Sequence, residues 1–319
     1  MVFSKKQALF SKFLFHFPMT YRIMRRTGWL NGLAMTILKR KQGNPYMNQN
    51  YDALSQKKLF LFDIDGTIAV GDTLYDGSAA LLKYIDRIGG KAFYITNNST
   101  KSGADYVKKF RDAYHLETTE EQFVTSGYMT LRFLLRNYAD RTIYCMGTRS
   151  FIDELRRHGL TVTEKCQPDV ACVVVAYDSE LSYEKLCETS KVLLTMDVPY
   201  YATNPDLRCP IDFGFIPDCG AMCDMLAATT DKHPTYLGKP SKKVVDLCLK
   251  LSGFTKEETL VVGDRLYTDI ACGINGGVDT CVLFTGEAQK KDLKDTPYKP
   301  TYAFDTVSDL LKACEKSQP

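Results

Sequence analysis

The chain is 319 residues long, 45% hydrophobic and 25% charged, an ordinary globular composition with length enough for two domains. Its formal net charge of +3 is uneven: residues 1–50 hold nine Lys or Arg and no Asp or Glu, leaving 32 basic against 38 acidic residues in the other 269. That mildly acidic body excludes the basic footprint of a nucleic-acid binder.

The eleven cysteines are an odd count, scattered through apolar runs such as VACVVVA. They read as thiols in a reducing, cytoplasmic setting rather than as a disulfide framework. Cys219 and Cys223 lie four apart, but no second Cys/His pair completes a zinc site.

Residues 1–45 form a basic arm. Phe10, Phe13, Leu14 and Phe17 recur at helical spacing beside Lys5, Lys6 and Lys12, until Pro18 interrupts. No run approaches the roughly 18 apolar residues of a spanning helix, and a secretory core with its cleavage site is missing. Three readings stay open: a basic amphipathic element on an anionic membrane surface, an organellar presequence, or a helical pair packing on the body or a partner. Residues 43–50 (GNPYMNQN) read as a linker.

The stretch KLFLFDIDGTIAV, residues 58–70, organises the rest. A short apolar run, Leu59–Phe62, ends in Asp63, Asp65 and a Gly66-Thr67 break, as expected of a strand buried on both faces of a parallel sheet. Carboxylates at the point where it surfaces ask for a neutralising ligand, most simply a divalent cation. Two residues apart on extended chain, they leave from one face. A calcium loop does not fit, because position 12 from Asp63 is Leu74 rather than Glu.

A helical pattern follows over Ser78–Arg87, then a strand Ala92–Ile95 that empties into Thr96-Asn97-Asn98-Ser99-Thr100. Those hydroxyls and amides suit a phosphate or cap the helix beginning near Gly103. Phe123–Ser126 reads as a strand leading into a helix that runs to about Arg136. From about Asp140 a fresh alternation starts: strands at 142–147, 169–178 and 199–204, helices at 149–159, 182–196 and 219–229. These pieces would overfill one sheet and are numerous enough for a core of their own.

After Pro234–Leu237, Lys239 stands between Gly238 and Pro240 at a helix start. Leu260–Val262 is a third buried strand, running into GDRLYTDI (263–270), where Asp264 and Asp269 serve chemistry or N-caps. Strands at 281–286 and 302–304 and a helix at 307–315 complete the sheet.

With DIDGT, Thr96, Lys239 and GDRLYTD in that order, the chain resembles the haloacid dehalogenase (HAD) superfamily of phosphatases. TNNST, ATNPD (202–206), LGKPS (237–241) and GDRLYTDI resemble its NagD-like, class IIA branch more narrowly. The likeness runs from about residue 57 to 315. It implies an α/β fold: a Rossmann-like parallel-sheet core at 51–138 and 234–319, an inserted α/β cap at 139–233, and the basic helical arm and linker at 1–50 lying outside the family pattern.

The resemblance also implies site roles. Asp63 would be the nucleophile, and Asp65 the proton donor and then the base. Mg2+ would sit on the Asp63 carboxylate, the Asp65 main-chain carbonyl and Asp264. Thr96, Asn97 and Asn98 would bind phosphoryl oxygens, with Lys239 adding positive charge. Thr67 and Asp269 would orient these groups. In the cap, Asn204, Asp206 and Arg208 are candidates to face the substrate, or else form a turn satisfying its own backbone. Where relatives carry a polar residue after the loop aspartate, this chain has Leu207.

The expected function is a Mg2+-dependent phosphomonoesterase acting on a small phosphorylated metabolite: a sugar phosphate, a nucleotide or a phosphoglycolate-like acid. The rival readings are an idle HAD scaffold docking through its basic arm on membrane or partner, and a phosphotransferase or mutase. Residues 1–45 bring in peripheral membrane contact or organellar import, and relatives suggest a homodimer through the cap.

Overall fold

The computed structural model describes residues 51–211 and 213–317, so the expectations placed on the arm lie outside the described residues. The strands, in chain order, are β1 (Leu59–Phe62), β2 (Ala69–Val70), β3 (Thr73–Leu74), β4 (Lys91–Thr96), β5 (Phe123–Thr125), β6 (Thr142–Met146), β7 (Thr161–Thr163), β8 (Val170–Val175), β9 (Tyr200–Ala202), β10 (Arg208–Ile211), β11 (Gly214–Pro217), β12 (Thr235–Tyr236), β13 (Thr259–Gly263), β14 (Asp279–Leu283) and β15 (Tyr302–Phe304). A six-stranded sheet is ordered β15-β14-β13-β1-β4-β5, and a five-stranded sheet β12-β9-β8-β6-β7. Every neighbouring pair in both sheets is parallel.

β1 is central because its four residues, Leu-Phe-Leu-Phe, are apolar on both faces. Phe60 and Phe62 pack on one side with Tyr94 and Val262, while Leu59 and Leu61 pack on the other with Val244 and Val245. From β1 the chain steps outward to β4 and β5, leaves to build the second sheet, and returns at β13 on the other side of β1. The connections therefore diverge at β1/β13, which puts a crevice at the carboxyl ends of these strands.

Helix boundaries follow local chemistry. Ser102 and Asp105 form a reciprocal capping box at the start of Gly103–Tyr114, Ser241 caps Lys242–Ser252, and Gly253 closes that helix with φ 80°. The helix Ser126–Asn137 serves both sheets: Met129 joins the core of the first, while Leu131 and Leu134 pack with Ile143 and Phe151 of the second.

Three features differ from the sequence reading. β12 pairs with β9, so Thr235–Tyr236 belongs to the five-stranded sheet and the chain regains the first sheet after 236, not at 234. β7 was not anticipated, being only three residues with partly exposed threonines. Two antiparallel hairpins, β2–β3 and β10–β11, occupy stretches in which the sequence reading places no strand. Neither shows a clear apolar/polar alternation, and β10 carries Pro210, which argues against a strand in sequence but is tolerated in a two-stranded edge ribbon. Among the described residues no helix is long and apolar enough to cross a membrane, and no disulfide joins the cysteines.

Candidate active site

Asp63 is the first residue past β1, its N–H still donating to the Val262 carbonyl at 2.9 Å, so the central ladder aims it into the crevice. Asp264 is the first residue past β13. Gly66, at φ 94°, turns the chain back beneath it, and a Cβ there would stand 2.8 Å from Asp264 Oδ2. The Glu287 N–H donates to the same oxygen at 2.6 Å. Thr67 Oγ1 lies 3.4 Å from both Asp63 Oδ2 and Asp264 Oδ1.

Lys239 reaches this point from the short stretch between β12 and the helix Lys242–Ser252. Its Nζ donates to Asp63 Oδ1 at 2.6 Å, to Asp269 Oδ1 at 2.6 Å and to the Ile95 carbonyl at 2.9 Å. Asp269 in turn accepts from the Arg265 N–H at 2.9 Å through Oδ2. Carboxylate oxygens of Asp63, Asp264 and Asp269 lie within 4.8 Å of one another. All four side chains are buried.

The electrostatics follow from this crowding. Burial opposes the charge on Lys239, but Asp269 and Asp63 outweigh it and hold the ammonium well above its ordinary pKa. Burial raises Asp63, Lys239 lowers it, Asp269 raises it again, and the net is upward. Asp264 is raised by burial and by its neighbours Asp63 and Asp269. One ammonium does not neutralise three buried carboxylates, so the cluster suits an added cation. Its donors are all oxygens, the set preferred by Mg2+.

The other expected residues separate into two groups. Thr96, Asn97 and Asn98 line a cavity of about 30 Å3 together with Asp63, Asp65 and Lys239. The Asn97 amide, however, is taken up at both ends by the main chain of Lys239, and Asn98 Oδ1 accepts from Thr100. Asp65 lines the cavity but is not one of the clustered carboxylates, and its Oδ1 lies 3.9 Å from Lys109 Nζ. The third clustered carboxylate is thus Asp269, and the expectation for Asp65 rests on its main-chain carbonyl.

From the second sheet, Asp206 faces the cavity while Asn204 and Arg208 do not line it. Asn204 is fully buried: its Oδ1 accepts from the Thr203 hydroxyl at 2.8 Å and its Nδ2 donates to Asp218 at 2.9 Å. Arg208 pairs with Glu287 at 2.8 Å.

Four residues at or beside this wall were not anticipated: Asp218, Cys209, Arg265 and Glu287. Arg265 Nη1 meets Asp206 Oδ2 at 3.1 Å and its Nε meets Glu287 Oε2 at 3.2 Å. Only the place of Arg265 beside Asp264 in GDRLYTD gave any hint, since its partners are distant in the chain. A larger cavity, about 480 Å3, opens at the amino ends of β4 and β5 beside Lys91 and Gln122 but holds none of the motif residues.

Residues 60–161 match the family model described as haloacid dehalogenase-like hydrolase, and residues 236–310 match a HAD-hydrolase-like model. An acid sugar phosphatase of Staphylococcus haemolyticus is 32% identical over 260 residues, covering 82% of this chain and 97% of the relative.

The chain belongs to the haloacid dehalogenase-like hydrolases.

A second relative, an acid sugar phosphatase of Staphylococcus aureus, is 31% identical over 263 residues, 82% of this chain and all of that protein. Among solved structures, the 4-nitrophenylphosphatase of Thermotoga maritima superposes with a TM-score of 0.76 at 33% identity, covering 82% of this chain and 99% of that one. NagD from E. coli K-12 gives 0.71 at 28% identity, over 79% and 98%. These likenesses put the protein in the NagD-like, class IIA branch, with the Rossmann-like parallel-sheet HAD core expected from sequence, and make it a phosphoric monoester hydrolase.

Proposed function

We propose that this HAD enzyme hydrolyses a small phosphorylated metabolite through an aspartyl-phosphate on Asp63, with Mg2+ as cofactor. The carrying observation is the placement of Lys239 Nζ at 2.6 Å from both Asp63 and Asp269, with Asp264 in the same carboxylate cluster. Asp63, Asp264 and the Asp65 carbonyl are the residues that would hold Mg2+. When bound, the ion neutralises carboxylates that would otherwise repel a phosphate dianion.

An Asp63 oxygen forms a bond to phosphorus as the ester P–O bond breaks, and Asp65 gives its proton to the leaving oxygen. Asp65 then takes a proton from water, whose oxygen attacks phosphorus, and the P–O bond to Asp63 breaks to release phosphate. Lys239 stays charged throughout and offsets charge spreading over the phosphoryl oxygens. Thr96 supplies a hydroxyl for one of those oxygens, and Asp269 keeps Lys239 aimed. The unit built on the five-stranded sheet, about residues 139–236, acts as the cap that covers the crevice and excludes water.

Phosphate release from 4-nitrophenyl phosphate, with Mg2+ and with chelator, tests this reading. Turnover that needs Mg2+ and vanishes in Asp63→Asn, with the melting temperature kept, is the expected result. A wild-type protein that releases no phosphate would favour the idle scaffold, and Mg2+-independent turnover surviving in Asp63→Asn would refute the nucleophile.

A further inference from the structure

The main chain of Asp65 is pinned, whereas its carboxyl is held from one side only. Asp65 bridges to Ala69, and the next N–H, from Gly66, donates to the Ala69 carbonyl at 2.8 Å. Among the described residues the carboxyl accepts no hydrogen bond. Its one ion pair there is with Lys109, whose Nζ lies 3.9 Å from Oδ1.

Lys109 comes from the helix Gly103–Tyr114, whose buried face is Tyr106, Phe110 and Tyr114 at four-residue spacing. Its side chain is only 13% exposed, against 71% for Lys108 and 55% for Arg111, which both pair with Asp112 in solvent. Those two are ordinary surface pairs that contribute little; Lys109 is turned inward. Its Nζ stands 5.3 Å from the centroid of the Tyr114 ring, within cation–π range. The Tyr114 hydroxyl in turn donates at 2.7 Å to the carbonyl of Gly71, in the turn between β2 and β3. One helix therefore grips the Asp65 loop at two points, the carboxyl and the hairpin that follows it.

Lys109 does not line the cavity that holds Asp63, Thr96 and Lys239, while Asp65 does. The ammonium is thus not placed to meet a phosphoryl group, and its effect on the reaction passes through Asp65.

On the phosphomonoesterase reading above, we infer that Lys109 is a positioning residue for proton transfer: it holds Asp65 Oδ1, so that Oδ2 is the oxygen presented to the leaving group. As the ester P–O bond breaks and the bond from Asp63 to phosphorus forms, the proton on Oδ2 passes to the departing oxygen. Asp65 is left ionised beside the ammonium.

Two esters of nearly the same shape separate this role from a merely structural one. Nitrophenolate leaves readily as the anion, whereas phenolate is more basic and depends more on a proton donor. The measured quantity is kcat/KM on 4-nitrophenyl phosphate divided by kcat/KM on phenyl phosphate, with the full-length protein and excess Mg2+. Asp65→Asn removes the acid and should raise this ratio most. Lys109→Met keeps the unbranched stem and should raise it about tenfold, because a misaimed acid loses much of its advantage. Lys109→Arg should return most of the wild-type ratio. In the double variant, Lys109→Met with Asp65→Asn, the ratio should stay where Asp65→Asn alone puts it. A ratio unmoved in both Lys109→Met and Lys109→Gln overturns the inference, as does a Lys109→Met effect of equal size in the Asp65→Asn background; the phosphatase reading survives either result. A wild type that turns over neither ester overturns that reading and the role of Lys109 with it.

Discussion

Asn97 holds the main chain of Lys239 at both ends: its Oδ1 accepts the Lys239 N–H at 2.9 Å, and its Nδ2 donates to the Lys239 carbonyl at 3.1 Å. Ser126 Oγ fixes Asn97 in turn, donating to its carbonyl at 2.6 Å. The Asn97 amide, expected from the family resemblance to bind phosphate, thus also fixes the main chain that carries the ammonium. Asn97→Ala leaves two buried main-chain groups unpaired and should cost about 1–3 kcal/mol of stability for each group left unsatisfied. Activity should fall as well, because Lys239 is no longer clamped. Asn97→Asp keeps an acceptor for the N–H but loses the donor to the Lys239 carbonyl and adds charge beside Asp206, so it should recover little of either loss; denaturant midpoints and kcat for the two variants check this.

Lys239 is the one ammonium among three carboxylates, so Lys239→Met strands buried negative charge. Breaking a buried pair this way costs about 3–5 kcal/mol, and turnover should be lost. Adding Asp269→Asn to Lys239→Met removes one uncompensated charge and should return part of the stability but none of the activity. Urea melts of the single and double variants measure it; a double variant no more stable than the single would show that Asp269 is not the partner whose charge is left over.

Metal binding should depend on pH. Asp63 and Asp264 are pushed up, to about 7 and about 8, with burial the largest cause for each. Below those values they hold protons that a cation must displace, so Mg2+ affinity should rise from pH 6 to pH 8 and binding should release protons. Titration calorimetry in buffers of different ionisation enthalpy reads the release directly. Equal apparent enthalpies in all buffers would mean that neither carboxyl gives up a proton to the ion.

Asp218 is raised to about 6 by burial and then by Asp206, against hydrogen bonds from Asn204 and the Cys219 N–H. A folded pKa above the unfolded one contributes stability that is present below about pH 4 and lost as pH climbs through about 6. By pH 7 the loss is on the order of 3 kcal/mol, at about 1.36 kcal/mol per pKa unit. Asp218→Asn removes that titration while keeping an oxygen for the helix cap, so its stability should fall less than that of the wild type between pH 4 and pH 6.5. Melting curves across that range decide it; parallel profiles would count against a buried, titrating Asp218.

The strands of the first sheet, their order as landing points for Asp63, Thr96 and Asp264, and most helix boundaries were readable in the amino-acid sequence. Those features depend on neighbours within a few residues: Leu59–Phe62 is apolar on both faces, Asp63 follows it, and Ser102 and Ser241 cap the next turns. Lys239 was legible as a charge between Gly238 and Pro240, and Asp269 as an orienting residue through the family resemblance, but the bond from Lys239 to Asp63 is named only by the folded chain. The same holds for the Asp206–Arg265–Glu287–Arg208 network, which joins the segment leading into β10 to the stretches after β13 and β14 and forms only in the folded chain. Asn204 and Asp206 are two residues apart and chemically similar at the level of sequence, yet one is buried against Asp218 and the other faces the cavity. Local pattern sets which residues share a strand end. Which of them meet, and which opposite charges cancel, depends on packing between segments far apart in the chain, and only the tertiary structure decides it.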